Sequence, residues 1–210
     1  MIFRYENAHS EFPIQEGEVW KYGDSAISVL DITESALDCF GDADMIYADA
    51  PWGLRNVNFF YNQVKKKRLN NFSDFYNKLF GVVKNVNAEV CYLEIGNEYL
   101  HVYTENMRRL YNAVQKWPIK YYGKRDCWLV RGGQDITPFD FTGFDDSKTP
   151  SHAVKIENPQ CVLDPCCGKG ITGIAALESG ARFIGTEINK RKLALFIKRA
   201  AAMGRVFKNG

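Results

Sequence analysis

The sequence has no long apolar run, no Cys-x-x-Cys pair and no large excess of charge of either sign. A membrane-spanning helix needs roughly 20 consecutive apolar residues, so a membrane protein is not expected. Lys and Arg number 27 against 25 Asp and Glu, which gives a formal net charge of +2. Bulk charge alone cannot hold such a chain on nucleic acid, so any contact of that kind must come from a local basic patch.

Histidine is scarce and cysteine is scattered. The three histidines lie in no recognisable nucleophile context, which disfavours a Ser-His-Asp or Cys-His hydrolase. The cysteines favour free buried thiols over a disulfide frame or a zinc knuckle, so no metal is expected. They are Cys39, Cys91, Cys127, Cys161, Cys166 and Cys167. The amino terminus shows no signal-peptide pattern, so we expect a cytoplasmic protein.

Short strand-like runs alternate with helical patterns along the chain. The helical patterns cover 73–86, 97–115, 171–179 and 190–203, and the strand-like runs cover 18–22, 44–48, 89–94, 119–122, 127–130, 161–163 and 182–185. This alternation predicts one α/β domain over residues 1–210, with about seven mostly parallel strands and helices on both faces of the sheet. The segments 54–72 and 132–160 are predicted to be loops that contact substrate or cofactor.

One predicted strand leads into a glycine-rich turn that opens a helix. The turn reads Asp164-Pro165-Cys166-Cys167-Gly168-Lys169-Gly170, and Glu187 follows Gly168 by about 20 residues, at the end of the next strand. Small residues let the backbone approach a ligand, and the acid can accept both hydroxyls of a ribose. Because the third glycine of a pyrophosphate loop is missing, an adenosine-bearing ligand without phosphates fits better. A purely structural turn is the alternative.

A second predicted strand ends in the turn Asp49-Ala50-Pro51-Trp52. Asp49 can accept one N–H of a planar amine, the Ala50 carbonyl can accept the other, and Trp52 offers a face for stacking. Pro51 stiffens the turn. Ligands of open α/β sheets bind outside the carboxyl ends of the strands, so both turns should face one crevice. An ordinary surface turn is the alternative here.

The two turns together resemble those of S-adenosylmethionine-dependent DNA amino-methyltransferases. The glycine turn is similar to the D-P-F-x-G-x-G cofactor loop of that family, and Asp49–Trp52 resembles its D-P-P-[YW] catalytic loop. The catalytic loop comes first, which resembles the permuted beta class of N6-adenine and N4-cytosine methyltransferases. The resemblance implies a Rossmann-like class I methyltransferase fold, S-adenosylmethionine as cofactor, and DNA as partner, with adenine N6 as the first choice of acceptor.

The resemblance also implies a role for each matching residue. The catalytic set, which would hold a flipped base, is Asp49, Ala50, Pro51 and Trp52. The cofactor-binding set is Asp24, His152, Lys155, Asp164, Cys166, Gly168, Gly170, Thr172 and Glu187. Asp24 is included because Gly23-Asp24 is similar to a G-D-x-[LI] element, and His152 and Lys155 because they resemble an H-x-x-K-P element.

A basic and aromatic segment follows the catalytic turn directly. It contains Phe59-Phe60-Tyr61, and its cations are Arg55, Lys65, Lys66, Lys67 and Arg68. Cations mixed with aromatics are typical of a segment that holds a nucleic-acid strand, although a solvated basic turn has the same composition. The chain is small for gripping a duplex, so a homodimer is a further expectation.

Three departures from the family leave alternatives open. Ala50 replaces a proline, Cys166 replaces a phenylalanine, and the span 53–160 is short for a target-recognition domain. An RNA adenosine methyltransferase and an N4-cytosine DNA methyltransferase therefore remain alternatives, as does a catalytically silent subunit that binds nucleic acid or cofactor. A nicotinamide dehydrogenase would leave the Asp49–Trp52 turn unexplained.

Overall fold

The computed structural model describes residues 7–36 and 40–210, and Cys39 lies outside the described residues. The strands are β1 (Val19–Tyr22), β2 (Ser25–Val29), β3 (Met45–Ala48), β4 (Val90–Ile95), β5 (Ala113–Tyr121), β6 (Arg125–Gly133), β7 (Cys161–Asp164), β8 (Arg182–Glu187) and β9 (Lys208–Asn209). The helices are α1 (Ala8–Glu11), α2 (Leu54–Gln63), α3 (Ser73–Val86), α4 (Leu100–Leu110), α5 (Thr149–Glu157), α6 (Ile171–Ser179) and α7 (Lys190–Ala202).

The strands form a single mixed sheet in the order β5-β6-β4-β3-β7-β8-β2-β1-β9. Neighbours are parallel from β4 through β3, β7 and β8 to β2, whereas the pairings beyond them at both ends are antiparallel. The next parallel strand after β3 is β4 on one side, and the next after β7 is β8 on the other. The chain therefore leaves the adjacent strands β3 and β7 in opposite directions, which opens a crevice at their carboxyl ends.

The centre of the sheet is covered on both faces. Every residue of β3, β4 and β7 is buried, whereas the residues of β1, next to the edge strand β9, are not. Strands of this kind are near-continuous apolar runs because neither face meets water. No helix among the residues that the structure describes is both long and apolar enough to cross a membrane.

The sheet has more strands than the sequence predicts. Residues 7–36 and 40–210 contain nine strands rather than seven, because β2 and the two-residue β9 are added. The predicted helix over 97–115 is too long, since α4 ends at Leu110 and β5 begins at Ala113. Pairing of β5 with β6 along all of its nine residues decides this boundary, because long-range pairing overrides a local helical pattern.

Two predicted loops contain helices. Helix α2 occupies 54–63, where three asparagines are poor helix formers and hide the pattern. Helix α5 lies inside 132–160, where Pro150 indicates a loop if it is taken as a helix breaker. Proline is favoured in the first turn, because its missing N–H has no partner there in any helix. The helix ends at Asn158, which adopts a left-handed conformation.

Candidate functional site

A cavity of about 1470 Å³ opens at the carboxyl ends of the parallel strands. Its wall includes Asp49 and Pro51 after β3, and Asp164, Cys166 and Gly168 at the end of β7. The two turns picked out from the sequence therefore open into the same space. A single small ligand usually occupies ~300–1,000 Å³, so this cavity has room for two reactants.

Asp49 lies in the cavity with part of its surface exposed. The indole N–H of Trp52 donates to Asp49 Oδ1 at 3.2 Å, which fixes one carboxylate oxygen. The ring of Trp52 is buried, with Tyr121 edge-on at 4.7 Å and the guanidinium of Arg125 at 5.2 Å from its centroid. Trp52 therefore orients the Asp49 carboxylate through this hydrogen bond.

Two members of the predicted catalytic set are not in the cavity wall. Ala50 is 2% exposed and Trp52 is 8% exposed, and neither lines the cavity. The expectation that the Trp52 face is open for stacking needs correction, because protein groups already pack against the ring. The aromatic side chains that do line the cavity are Tyr47, Phe59, Phe60, Tyr61, Phe75, Tyr121 and Tyr122.

The glycine turn brings most of its predicted residues to the cavity. Asp164 Oδ1 accepts the backbone N–H of Cys166 at 3.0 Å, and Thr172 lines the same wall. Gly168 has a φ of +55°, a left-handed conformation that favours glycine. A Cβ on Gly168 would lie 3.9 Å from Glu187 Oε2, so the turn and the ribose-type acid adjoin each other.

Gly170 has a packing role instead of a cavity role. Its φ is +71°, and a Cβ there would lie 2.1 Å from the ring of Phe196. Gly170 does not line the cavity. The prediction that it contacts the cofactor is corrected: the residue lets α6 begin close to α7.

Asp24 precedes β2 and does not line the cavity. It is exposed in the turn that precedes β2, whereas the cavity wall is formed by residues that follow β2. The acid found there is Asp31, whose Oδ1 accepts the hydroxyl protons of Thr33 and Tyr61 at 2.8 Å each. Parallel strands present only their carboxyl ends to such a crevice, so Asp31 replaces Asp24 as the candidate.

The predicted pair on α5 also lies away from the cavity wall. His152 Nδ1 is 3.0 Å from the Lys148 carbonyl, and the imidazole packs edge-on against Phe144 at 4.8 Å. Lys155 is exposed. The expected pocket role of both residues is corrected, because the helix directs Pro150 to the cavity in their place.

The basic segment after α2 is divided by the fold. Lys65, Lys67, Arg68 and Arg55 are exposed, and Lys65 lines the cavity. Lys66 is half-buried, and its Nζ lies 2.6 to 3.5 Å from carboxylates of Glu34, Asp31 and Glu16. These carboxylates already pair with the ammonium group of Lys66. The prediction that Lys66 contacts nucleic acid is therefore corrected to a structural role. The cluster Lys190, Arg191 and Lys192, for which the sequence favours a solvated face, lines the cavity.

The site contains two acids that the sequence patterns do not predict. Glu94 near the end of β4 and Asp146 before α5 both line the cavity. One carboxylate oxygen from each, with one from Asp49, lie within 4.8 Å of one another. The signal for Glu94 was available, since it is the acid at the end of the apolar run that forms the strand beside β3. No sequence signal indicates Asp146, because its position depends on the course of a long loop.

Burial and mutual repulsion perturb the acids of this cavity. Burial first, then the negative charge of Asp146, raises the pKa of Asp49 to about 7, although the Trp52 N–H and Lys192 oppose the shift. Burial also raises the pKa of Asp164 to about 7, against the hydrogen bonds from Cys166 and Thr172. The pKa of Glu94 is raised well above its ordinary value, by burial first and by Asp49 next. Such groups hold protons near neutrality, which is typical of functional sites.

Comparison with known proteins gives no match by sequence, since neither a protein-family model nor a curated protein matches the chain. Solved structures with the same fold do exist. M1.HpyAVI is 15% identical over 82% of this chain and 97% of its own, with a TM-score of 0.55. It has also been solved in complex with SAM.

Two further solved structures resemble this chain to the same degree. TTHA0409 from Thermus thermophilus, described as a DNA modification methylase and solved with S-adenosyl-L-methionine, is 18% identical over 84% of this chain and 94% of its own, with a TM-score of 0.56. PvuII DNA methyltransferase, which is cytosine-N4-specific, is 13% identical over 87% of this chain and 90% of its own, with a TM-score of 0.56. This chain therefore has the α/β fold of these methyltransferases.

Proposed function

We propose that this protein is an S-adenosylmethionine-dependent DNA methyltransferase that modifies the exocyclic amino group of a base, with adenine N6 as the acceptor. The observation that carries the proposal is the meeting of the Asp49 turn and the glycine turn in one cavity between β3 and β7. The fold shared with M1.HpyAVI and TTHA0409, both solved with this cofactor, supports it.

The residues present fit the cofactor. Glu187 Oε1 accepts the N–H of Asn189 at 2.9 Å, and Oε2 faces the glycine turn, where a ribose can approach because residue 168 has no side chain. Asp31 on the neighbouring wall offers an acid beyond the ribose position. The bound cofactor supplies a methyl group on a positively charged sulfur, so no metal is required to activate it.

The contribution of the protein is mostly orientation. Asp49 would accept an N–H of the target amine and hold the nitrogen in line with the transferable methyl group, at roughly 3–3.5 Å. As positive charge develops on that nitrogen, the carboxylate stabilises it. A base must leave the duplex to reach this depth. Tyr121 and Tyr122 in the wall offer aromatic surface for it.

A methyl-transfer assay tests the function directly. Purified protein is incubated with radiolabelled S-adenosylmethionine and single-stranded DNA, duplex DNA or RNA, and the products are digested to nucleosides. Label in N6-methyl-2′-deoxyadenosine from a DNA substrate is the expected result. Label confined to RNA, or no label with any of the three, would contradict the proposal. N4-cytosine is the second candidate, because PvuII methyltransferase shares the fold, and the same digest identifies it.

Glu187→Gln should weaken binding of S-adenosylmethionine about 10-fold or more. The amide can keep the bond from Asn189, but it cannot accept from two ribose hydroxyls as a carboxylate does. A hydrogen bond to a charged group contributes about 1.5–3 kcal/mol. Isothermal titration measures the dissociation constant. Asp24→Asn is the matched control and should leave it within about twofold, whereas equal losses in both variants would remove Glu187 from the ribose.

The double variant Lys65→Glu, Lys67→Glu should weaken DNA binding and lower its salt dependence. Both side chains are exposed, and Lys65 lines the cavity. Each lost phosphate contact should reduce the slope of log K against log salt by about 0.7–0.9. The double variant Lys84→Glu, Lys208→Glu has the same net charge and alters exposed residues away from the cavity. Equal effects of the two double variants would show that the bulk charge of the protein, not the position of these lysines, determines DNA binding.

A further inference from the structure

The acids around Asp49 are more numerous than the proposed function requires. Asp49 follows β3, Glu94 lies near the end of β4, and Asp146 lies in the loop before α5. We call these three residues the acidic trio. One carboxylate oxygen from each residue lies within 4.8 Å of those from the other two, a span that a single small cationic group could bridge, and all three residues line the cavity.

Each member of the acidic trio is held by a donor from outside the trio. The Tyr47 hydroxyl donates to Glu94 Oε1 at 2.5 Å, and the backbone N–H of Tyr122 donates to Asp146 Oδ1 at 3.0 Å. The Trp52 indole holds Asp49 in the same way. These bonds orient one oxygen of each carboxylate, so the geometry is built rather than accidental.

The loop that carries Asp146 is pinned to the sheet. The backbone N–H of Lys120 donates to the Phe144 carbonyl at 2.7 Å, and the N–H of Asp146 donates to the Lys120 carbonyl at 2.9 Å. These two bonds lay the loop along β5 and bring Asp146 over the end of β4. Asp146 is therefore a fixed part of the cavity wall.

Glu94 supplies the independent sign of a missing ligand. It is 1% exposed, and its Oε2 has no hydrogen-bond partner among the residues that the structure describes. An unpaired polar oxygen in the interior costs about 1–3 kcal/mol, so such groups are normally satisfied by a partner or a ligand. Glu94 belongs to the same cluster as Asp49 and Asp146, and all three residues line the cavity.

We propose that Asp146 joins Asp49 in binding the reacting amine, and that the acidic trio takes up the proton which the amine releases. This inference rests on the proposed function and assigns to Asp146 the second acceptor position that Ala50, buried behind the wall, does not fill. Glu94 acts as a positioning residue beneath the other two. No family motif noted in the sequence contains either residue.

The chemistry balances within the site. The amine nitrogen forms a bond to the methyl carbon while the carbon–sulfur bond breaks, so the positive charge passes from sulfur to nitrogen. The N–H bond then breaks, and the proton moves to a carboxylate oxygen of Asp49 or Asp146. A neutral methylamine, a neutral thioether and a protonated carboxyl remain. Transfer to a placed base of this kind contributes roughly 10²–10⁴-fold to a rate.

The charge balance of the cavity favours this role. Lys192 is the cation that acts on Asp49, and it lies 3.8 Å from Glu187, which shares its charge. The groups that face Asp49 and Glu94 from the surrounding elements are Tyr47, Tyr121, Cys127, Asp146, Asp164, Cys166 and Lys192. Most of these are acidic or neutral, so a positively charged ligand group is stabilised there.

Sinefungin, in which a primary amine replaces the methyl-bearing sulfonium, tests the site without catalysis. The wild type should bind sinefungin at least ~10-fold more tightly than S-adenosylhomocysteine, and Asp146→Asn and Glu94→Gln should each lower that ratio several-fold. Binding of S-adenosylhomocysteine should stay unchanged in both variants. Asp140→Asn, an exposed acid of the same loop, is the matched control and should keep the wild-type ratio.

Turnover gives the second readout. Asp146→Asn should lower kcat about 100-fold with little change in KM, and it should move the acid limb of the pH profile to lower pH, because the charge of Asp146 raises the pKa of Asp49. If both trio variants keep the wild-type ratio of sinefungin to S-adenosylhomocysteine affinity, the inference is overturned, but the proposed methyl-transfer function is not. Saturable Mg²⁺ binding that Asp146→Asn removes would also overturn it, in favour of a cation site. Failure of both cofactor analogues to bind would overturn the proposed function, and this inference with it.

Discussion

Asp49→Asn should abolish methyl transfer and at the same time stabilise the protein above neutral pH. The amide cannot take up a proton or stabilise developing positive charge as a carboxylate does, so the rate should fall at least ~100-fold. Cofactor affinity should stay within a few fold, because Glu187 and the glycine turn, not Asp49, are proposed to hold the cofactor. Single-turnover methyl transfer and isothermal titration measure the two effects.

The stability effect follows from the raised pKa of Asp49. Its folded pKa of about 7 lies above the unfolded value of about 3.9, so the folded state holds the proton more tightly than the unfolded state does. The stabilisation is fully present below the unfolded pKa and is lost as the pH rises through about 7. Asp164, with the same shift, adds a contribution of the same sign.

Thermal unfolding at pH 5 and pH 8 checks this sign. The wild type should lose stability between the two values, and Asp49→Asn should lose less, so the gain in Tm should appear at pH 8. Asp140→Asn should keep both the wild-type activity and the wild-type pH dependence, since that residue is exposed outside the cavity. A variant with normal turnover would show that the catalytic turn is assigned to the wrong residue.

The parts of the site that the sequence predicts are those with local causes. The turn after β3 and the turn after β7 each combine an apolar strand with proline, glycine and an acid, and the parallel sheet places both at one edge. Glu187 is found for the same reason, because it ends the strand after the glycine turn. The helix over 73–86 agrees with α3, whose buried residues repeat at helical spacing.

The remaining features depend on contacts between distant segments. Asp146 reaches the cavity only because its loop pairs with β5, and no local pattern encodes that pairing. Lys66 is an ordinary basic residue in the sequence, but carboxylates up to 50 positions away surround it in the fold. Asp24 was misplaced because its strand was not predicted, so nothing showed which end of β2 met the cavity.

Trp52→Ala should destabilise the fold by about 3–5 kcal/mol and should also disable the site. The indole is buried against Tyr121, and removal of so large a ring leaves a cavity. Trp52→Phe is the sharper variant, since it keeps a six-membered aromatic ring and removes the N–H that donates to Asp49. Because that bond lowers the pKa of Asp49, its loss should raise the pKa further and move the acid limb of the activity profile to higher pH.

The phenylalanine variant separates two roles for Trp52. If the ring supports Asp49, kcat at neutral pH should fall about 10-fold, KM for DNA should stay near the wild-type value, and activity should partly recover at alkaline pH. If the ring is a stacking surface for the target base, phenylalanine should preserve kcat and the pH profile. Stacking is worth about 1–3 kcal/mol per base by alanine substitution, so that role would appear in KM for the alanine variant. An unchanged pH profile in Trp52→Phe would therefore contradict the support role, because phenylalanine has no N–H to donate to Asp49.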